Sequence, residues 1–234
     1  MKVATWNCNM AFRRKKDELL EHDPDVLVIQ ECENPEIKGE WSEFSDWHWI
    51  GDNEHKGLGV FTRNDLSVEP LEIEVPNGEY ALPVKIGDAM TVVGIWAMND
   101  KTNPKRRYIG QVYTALQHLR DVLDSETVVA GDFNWNVIWD DSPSNPLCGN
   151  FADTVEILNE LGLCSSYHRV TESEFGEESD PTFFMHKKRD REYHTDYLFV
   201  PERKVGSVGE FSVGTYQNWI EASDHMPIMI EMME

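Results

Sequence analysis

Asp25-Val26-Leu27-Val28-Ile29-Gln30-Glu31 is an apolar, β-branched run with a polar end, the pattern of a strand buried on both faces. Upstream, Lys2-Val3-Ala4-Thr5-Trp6-Asn7-Cys8 has the same form. A helical periodicity over Phe12–His22, stopped by Asp23-Pro24, lies between them. Strands joined through a helix run parallel, because parallel pairing needs a long crossover. Further strands are expected at Gly57–Thr62, Leu82–Ile86, Thr91–Met98, Thr127–Asn134, Thr182–His186, Thr195–Val200, Glu210–Val213 and Met226–Met232. Leu82–Ile86 and Thr91–Met98 flank Gly87-Asp88 at hairpin spacing and should be antiparallel. Helices are expected at Arg107–Leu123, with Tyr108, Val112, Leu116 and Leu119 on one face, and at Ala152–Leu161.

Three helices cannot cover both faces of a ten-strand sheet, and a sheet that wide tends to split in two. The expected fold is therefore α/β: two mixed sheets packed face to face with helices outside. No repeat, low-complexity tract or linker interrupts the chain, so one domain over residues 1–234 is expected.

The composition, 40% hydrophobic and 11% aromatic, supplies a sizeable core. No apolar run approaches the ~20 residues that span a bilayer. The start, Met1-Lys2-Val3-Ala4, has no apolar leader pattern, and a cytoplasmic protein without membrane attachment is expected. Cys8, Cys32, Cys148 and Cys164 lack CxxC or zinc spacing; buried free thiols at Cys8 and Cys32 fit a reducing compartment. Lys and Arg number 21 against 43 Asp and Glu, a net charge of −22. A body so acidic repels polyanions unless its cations are grouped. A high-salt habitat would suit such a surface.

The chemistry sits at the strand ends. Asn7 follows the first strand and Glu31 the second, while Gly131-Asp132-Phe133-Asn134 closes Val128–Ala130. Asp196 opens Tyr197–Val200 and Asp224-His225 opens Met226–Ile228. If strands that begin with such residues oppose those that end with them, all five motifs meet on one rim. Period two would place Asp132 and Asn134 on one face. Four carboxylates, two carboxamides and an imidazole are costly to gather without a cation. An oxygen-rich ligand set suits Mg²⁺ or Mn²⁺ better than zinc.

The ordered series Thr5-Trp6-Asn7, Gln30-Glu31, Gly131-Asp132-Phe133-Asn134, Thr195-Asp196-Tyr197 and Ser223-Asp224-His225-Met226-Pro227 resembles the endonuclease/exonuclease/phosphatase family. The resemblance runs from residue 5 to residue 227 and implies a four-layer αββα sandwich. It implies in-line, metal-assisted hydrolysis of a phosphate ester, with no covalent enzyme intermediate. Glu31 would be the principal metal ligand, with Asn7 and Asp224 nearby. Asp132 would orient or deprotonate the attacking water, and Asn134 would donate to the phosphate or nucleophile. Asn7 joins this catalytic group. Asp196 would hold His225 and keep it cationic beside the transition state.

Three departures argue against abasic-site cleavage. Asn9 replaces an aspartate of exonuclease III relatives, Trp96 stands where they carry Tyr or His, and His194-Thr195 stands where many carry an arginine. Basic clusters at Arg13-Arg14-Lys15-Lys16, Lys105-Arg106-Arg107 and Lys187-Lys188-Arg189 are placed to form a basic mouth around the rim. Among eight tryptophans, Trp135, Trp139 and Trp219 lie near the motifs and are candidate stacking platforms. Trp41, Trp47 and Trp49 are expected in packing. The substrate-binding candidates are Trp96, Arg107, Asn9, Trp135, Trp219, Lys187 and His194. The leading expectation is a monomeric nuclease on DNA or RNA. The alternative is a phosphatase or diesterase of a small phosphorylated molecule such as a nucleotide or inositol phosphate. A non-catalytic binding protein on the same fold is disfavoured by the intact residue set.

Overall fold

The computed structural model describes residues 1–73, 75, 81–141, 147–205 and 208–232. The first half of the chain runs β1 (Lys2–Asn7), α1 (Lys16–Leu20), β2 (Val26–Cys32), β3 (Asp46–Asn53), β4 (Lys56–Thr62), β5 (Val68–Pro70), β6 (Ala81–Ile86), β7 (Met90–Trp96) and α2 (Ile109–Leu119). The second half runs β8 (Val128–Asp132), α3 (Phe151–Glu160), β9 (Leu163–Ser165), α4 (Ser166–Thr171), β10 (Phe183–Phe184), β11 (Glu192–Tyr193), β12 (Asp196–Pro201), α5 (Glu202–Val205), β13 (Val208–Val213), α6 (Tyr216–Trp219) and β14 (Ile228–Met232).

These strands form two six-stranded mixed sheets, ordered β13-β14-β1-β2-β4-β3 and β5-β6-β7-β8-β12-β9, with β10-β11 as a separate ribbon. The pairing β1-β2 is parallel and β6-β7 antiparallel, as the connections predict. Period two sorts each central strand between layers. Val3, Val26, Val28, Val128, Ala130, Leu198 and Val200 fill the space between the sheets. Their neighbours Ala4, Trp6, Leu27 and Ile29 pack outward with Phe12, Leu19, Phe61 and Trp219. Val129 and Phe199 pack on the other side beneath α2 and α3. Central strands buried on both faces read as unbroken apolar runs, which is why they stand out in the sequence.

Edges and connections depart more from expectation. Half-buried β3, carrying Trp47 and Trp49, alternates aromatic and polar residues and has no apolar run. Phe12–His22 is not one helix but a 3₁₀ turn, Phe12–Arg14, followed by α1. The buried Glu33 carboxylate accepts the Phe12 and Arg13 amides at 2.7 and 3.1 Å, binding the turn to the end of β2. Strand β8 stops at Asp132, and Asn134 lies at φ 50° outside it. Period two therefore does not bring Asp132 and Asn134 together; a turn does. Gly131, at φ 147°, approaches β7 so closely that a Cβ would collide with the Ile95 carbonyl. Tyr108 caps α2 and stacks on Trp135 instead of extending the helix's buried stripe.

Cys8 and Cys32 are buried free thiols, and burial raises both above the ordinary thiol range. Among the described residues, no helix is long and apolar enough to cross a membrane.

Candidate active site

One sheet supplies Asn7, Glu31, Asp224 and His225 to the rim, and the other supplies Asp132, Asn134 and Asp196. The register explains the meeting. Asp196 pairs directly with Asp132 across β12-β8, and the two sheets carry their polar strand ends to the same edge.

Asp132 is fully buried. Its Oδ1 accepts the Asn134 amide at 2.8 Å. Its Oδ2 accepts Asn134 Nδ2 at 2.9 Å and Asn7 Nδ2 at 3.0 Å. The Asn7 bond crosses from one sheet to the other. Burial, then the charge of Asp196, push the Asp132 carboxyl up to about 7, against the opposing pull of His225 and the amide donors. It therefore titrates near neutrality, where a proton acceptor is most effective.

His225 Nδ1 donates to Asp196 Oδ2 at 2.9 Å, and its Nε2 lies 3.9 Å from Asp132 Oδ2. Burial alone would lower this imidazole, but Asp196 and Asp132 overcome it and hold it up at about 10. It is cationic at neutral pH. Asp132, Asp196 and His225 also form, among the described residues, a group of three ligand-type side chains within 4.8 Å of one another, close enough to hold an ion. In the metal-free protein the imidazolium supplies the positive charge there.

Glu31 sits at φ 62°, in a register slip where Gln30 pairs with Leu58 and Cys32 with Gly57. The slip turns its carboxylate toward the rim. Glu31 Oε1 accepts Asn7 Nδ2 at 3.4 Å, and Oε2 meets Lys56 Nζ at 3.1 Å. Asp224 Oδ1 accepts Asn9 Nδ2 at 3.1 Å. Glu31 and Asp224 carry hard oxygen donors, the type a divalent metal takes, and lie outside the Asp132–Asp196–His225 group. The Asn7 side chain turns its nitrogen to the carboxylates, and its oxygen accepts the Asn9 amide at 3.1 Å.

The substrate-binding candidates are placed as follows. Trp96 is 2% exposed within the inter-sheet core, and Trp219 packs edge-on to Trp6 with centroids 5.1 Å apart. Both rings are largely buried in packing, and Trp96 is the register partner of Asp132 at the rim. His194 is buried behind Asp196, its Nδ1 2.8 Å from the Asp180 carbonyl and its ring against Tyr167 and Tyr197. Burial lowers it toward the neutral form, so it offers phosphate no charge. Asn9 is engaged with Asp224, as above. Trp135 is half-buried, its indole donating to Asp140 Oδ1 at 2.8 Å with one ring face on Tyr108. Half-buried Arg107 has a buried Nε without a partner, and exposed Lys187 donates to the Glu221 carbonyl at 3.1 Å.

The first basic cluster is largely taken up by the fold. Arg13 pairs with Glu33, Lys16 pairs with Glu43, and Lys15 Nζ donates to the carbonyls of Cys8, Asn9 and Ala222. Lys15 thereby ties the loop of Asn9 to the loop of Asp224.

Thr182 and Ser223 went unassigned in the sequence. Thr182 Oγ1 donates to Asp196 Oδ2 at 2.7 Å and accepts the amides of Thr195 and Asp196. Ser223 Oγ donates to the Asn7 carbonyl at 2.7 Å and accepts the His225 amide at 3.0 Å. Only Ser223, adjacent to Asp224-His225, had a sequence signal. Thr182→Val should lower kcat roughly tenfold, the size of one hydrogen bond to a charged group. An unchanged kcat would show that the Asp196–His225 pair stands without this support.

Residues 4–225 match the Endonuclease/Exonuclease/phosphatase family. The chain belongs to that family. It is an enzyme of the corresponding class, a hydrolase acting on phosphoester bonds. Solved structures of similar fold include a 3'-5' exonuclease (NExo) from Neisseria meningitidis, at 21% identity and TM-score 0.74, with 99% of each chain covered. An AP endonuclease from Archaeoglobus fulgidus aligns at 17% identity and TM-score 0.75, again over 99% of each chain. The 3' phosphatase NExo from Neisseria, bound to product DNA hairpin, aligns at 21% identity and TM-score 0.73 over all of both chains. No curated protein matches the sequence. The family's sandwich architecture is the one observed here, two mixed six-stranded sheets between outer helices.

Proposed function

We propose that this protein is a divalent-metal-dependent nuclease acting on single-stranded or structured ends of DNA or RNA. The observation that carries this reading is a run of half-buried aromatic rings leading away from His225. Phe183 stacks on His225 at 4.5 Å and on Tyr193 at 6.4 Å, and Tyr193 meets Trp139 at 5.2 Å. Trp139 contacts Trp135 at 5.6 Å, and Trp135 stacks on Tyr108 at 6.2 Å. Aromatic faces in series offer unpaired bases a sequence-tolerant platform. The ribbon β10-β11 that holds Phe183 and Tyr193 has Lys187, Lys188, Arg189 and Arg191 exposed at its tip. The DNA hairpin bound by the Neisseria phosphatase supports a nucleic-acid substrate by analogy.

In this reading Glu31 and Asp224 would hold Mg²⁺ or Mn²⁺, which would supply Lewis-acid activation of the phosphate. Asp132 takes the proton from an attacking water, with Asn7 and Asn134 fixing its carboxylate. His225, held by Asp196, offers its Nε2 proton to the charge that builds on the phosphate oxygens. The chain acts as one catalytic unit.

The small-molecule reading rests on a different observation, the acidic surface together with the internal pairing of Arg13, Lys15 and Lys16. One assay separates the two. Purified protein is offered single-stranded, duplex and abasic DNA, RNA, nucleotides and sugar phosphates, in Mg²⁺, Mn²⁺ and chelator. Cleavage of oligonucleotides that requires metal and is lost in Glu31→Ala is expected. Phosphate release from small molecules alone would establish the alternative, and full activity in Glu31→Ala would remove the metal assignment.

A further inference from the structure

One cation at the rim has no part in the scheme above. Lys56 opens β4, just past the turn that joins β3 to β4. Its Nζ lies 3.1 Å from Glu31 Oε2 and 5.1 Å from the centroid of the Trp96 ring. Glu31 and Lys56 belong to one sheet and Trp96 to the other, so the ammonium sits across the mouth of the sandwich. The Lys56 side chain is 37% exposed, whereas that of Glu31 is 18% exposed. The bulged backbone at Glu31 holds its carboxylate in place, while Lys56 has a long flexible stem.

We propose that Lys56 is an exchangeable counter-ion for the metal site. It neutralises Glu31 in the metal-free protein, gives up that place when a divalent cation binds, and then contacts the substrate phosphate. This rests on the metal assignment of the preceding section. Two cations on one carboxylate repel each other, and an exposed ion pair holds only weakly, so the lysine is the partner that moves. A lysine suits this role because its charge is compact and its rotamers are many. Released from Glu31, its ammonium still has the Trp96 face to rest on, 5.1 Å from the ring centroid, and is available to an incoming phosphate.

The proposal predicts opposite effects on the two ligands, which a merely structural lysine would not produce. Mn²⁺ binding is measured by titration calorimetry on chelator-stripped wild type, Lys56→Met and Lys56→Arg. The kcat and KM of each are then read on one oligonucleotide. Lys56→Met should bind Mn²⁺ roughly fivefold tighter, the size of one exposed ion pair, and show a KM raised several-fold. Lys56→Arg should stay close to wild type in both. Thermal melting of Lys56→Met and Lys56→Gln monitors folding, which a half-exposed side chain should not disturb. Mn²⁺ binding in Lys56→Met that is unchanged or weaker would overturn the exchange, and an unchanged KM would overturn the phosphate contact. Wild type that binds no Mn²⁺ would remove the metal assignment itself, and this inference with it.

Discussion

Asp132→Asn is expected to lower kcat by about two to four orders of magnitude. The substitution keeps the shape of a fully buried side chain but leaves no oxygen able to take a proton. It also sets a new amide against the Nδ2 groups of Asn7 and Asn134, which now donate to that carboxylate. Single-turnover hydrolysis isolates the chemical step, and a loss below tenfold there would exclude Asp132 as the proton acceptor. The ionisation of the wild-type site supplies a second check. Activity should rise as Asp132 deprotonates near 7 and fall as His225 loses its proton near 10. A bound divalent cation favours the carboxylate form, so the acidic limb should move below 7 as metal concentration rises.

His225→Ala should cost about two to three orders of magnitude in kcat, comparable with removal of a preorganised transition-state donor. It should also destabilise the fold by about 3–5 kcal/mol, because Asp196 and Asp132 lose the cation between them. The sign of the pH dependence follows from the raised value. The imidazole moves from 6.5 up to about 10 on folding, so its contribution is complete below 6.5 and disappears as pH rises through about 10. The difference in melting temperature between wild type and His225→Ala should therefore be widest near pH 6 and close at high pH. A difference independent of pH would mean that the ring acts by packing against Phe183, its neighbour at 4.5 Å, and not by charge.

The central strands were legible in the sequence because burial on both faces writes itself as apolar runs. Their polar ends were legible only together, because each alone is an ordinary strand end and five in that order are hard to reach by chance. What the sequence concealed depends on contacts between distant segments. Lys56 opens an unremarkable strand, and its meeting with Glu31 arises from the β2-β4 register. Thr182 lies outside every regular element and finds Asp196 through the turn from β11 to β12. The same limit hid the burial of Trp219 and His194. Proximity in sequence to a motif does not decide which face of the sheet a ring occupies, and both rings face the buried side. Arg13 and Lys16 were misread as mouth charges because their partners, Glu33 and Glu43, lie some distance along the chain.

The division of the rim between the two sheets gives the core a second role. Glu31 and Asp224 belong to one wall, Asp132 and Asn134 to the other, and the hydrogen bonds of Asn7 to Asp132 and His225 to Asp196 stitch the walls together. The apolar layer between them works as a spacer that sets how far the Glu31–Asp224 wall stands from the Asp132–Asn134 wall. Gly94, where a Cβ would lie 3.1 Å from Val28 Cγ1 and 3.5 Å from Val60 Cγ2, is one point where that gauge is set by the absence of a side chain. Under the proposed mechanism the thickness of the hydrophobic interior becomes a catalytic dimension, and volume changes made well below the rim should alter kcat.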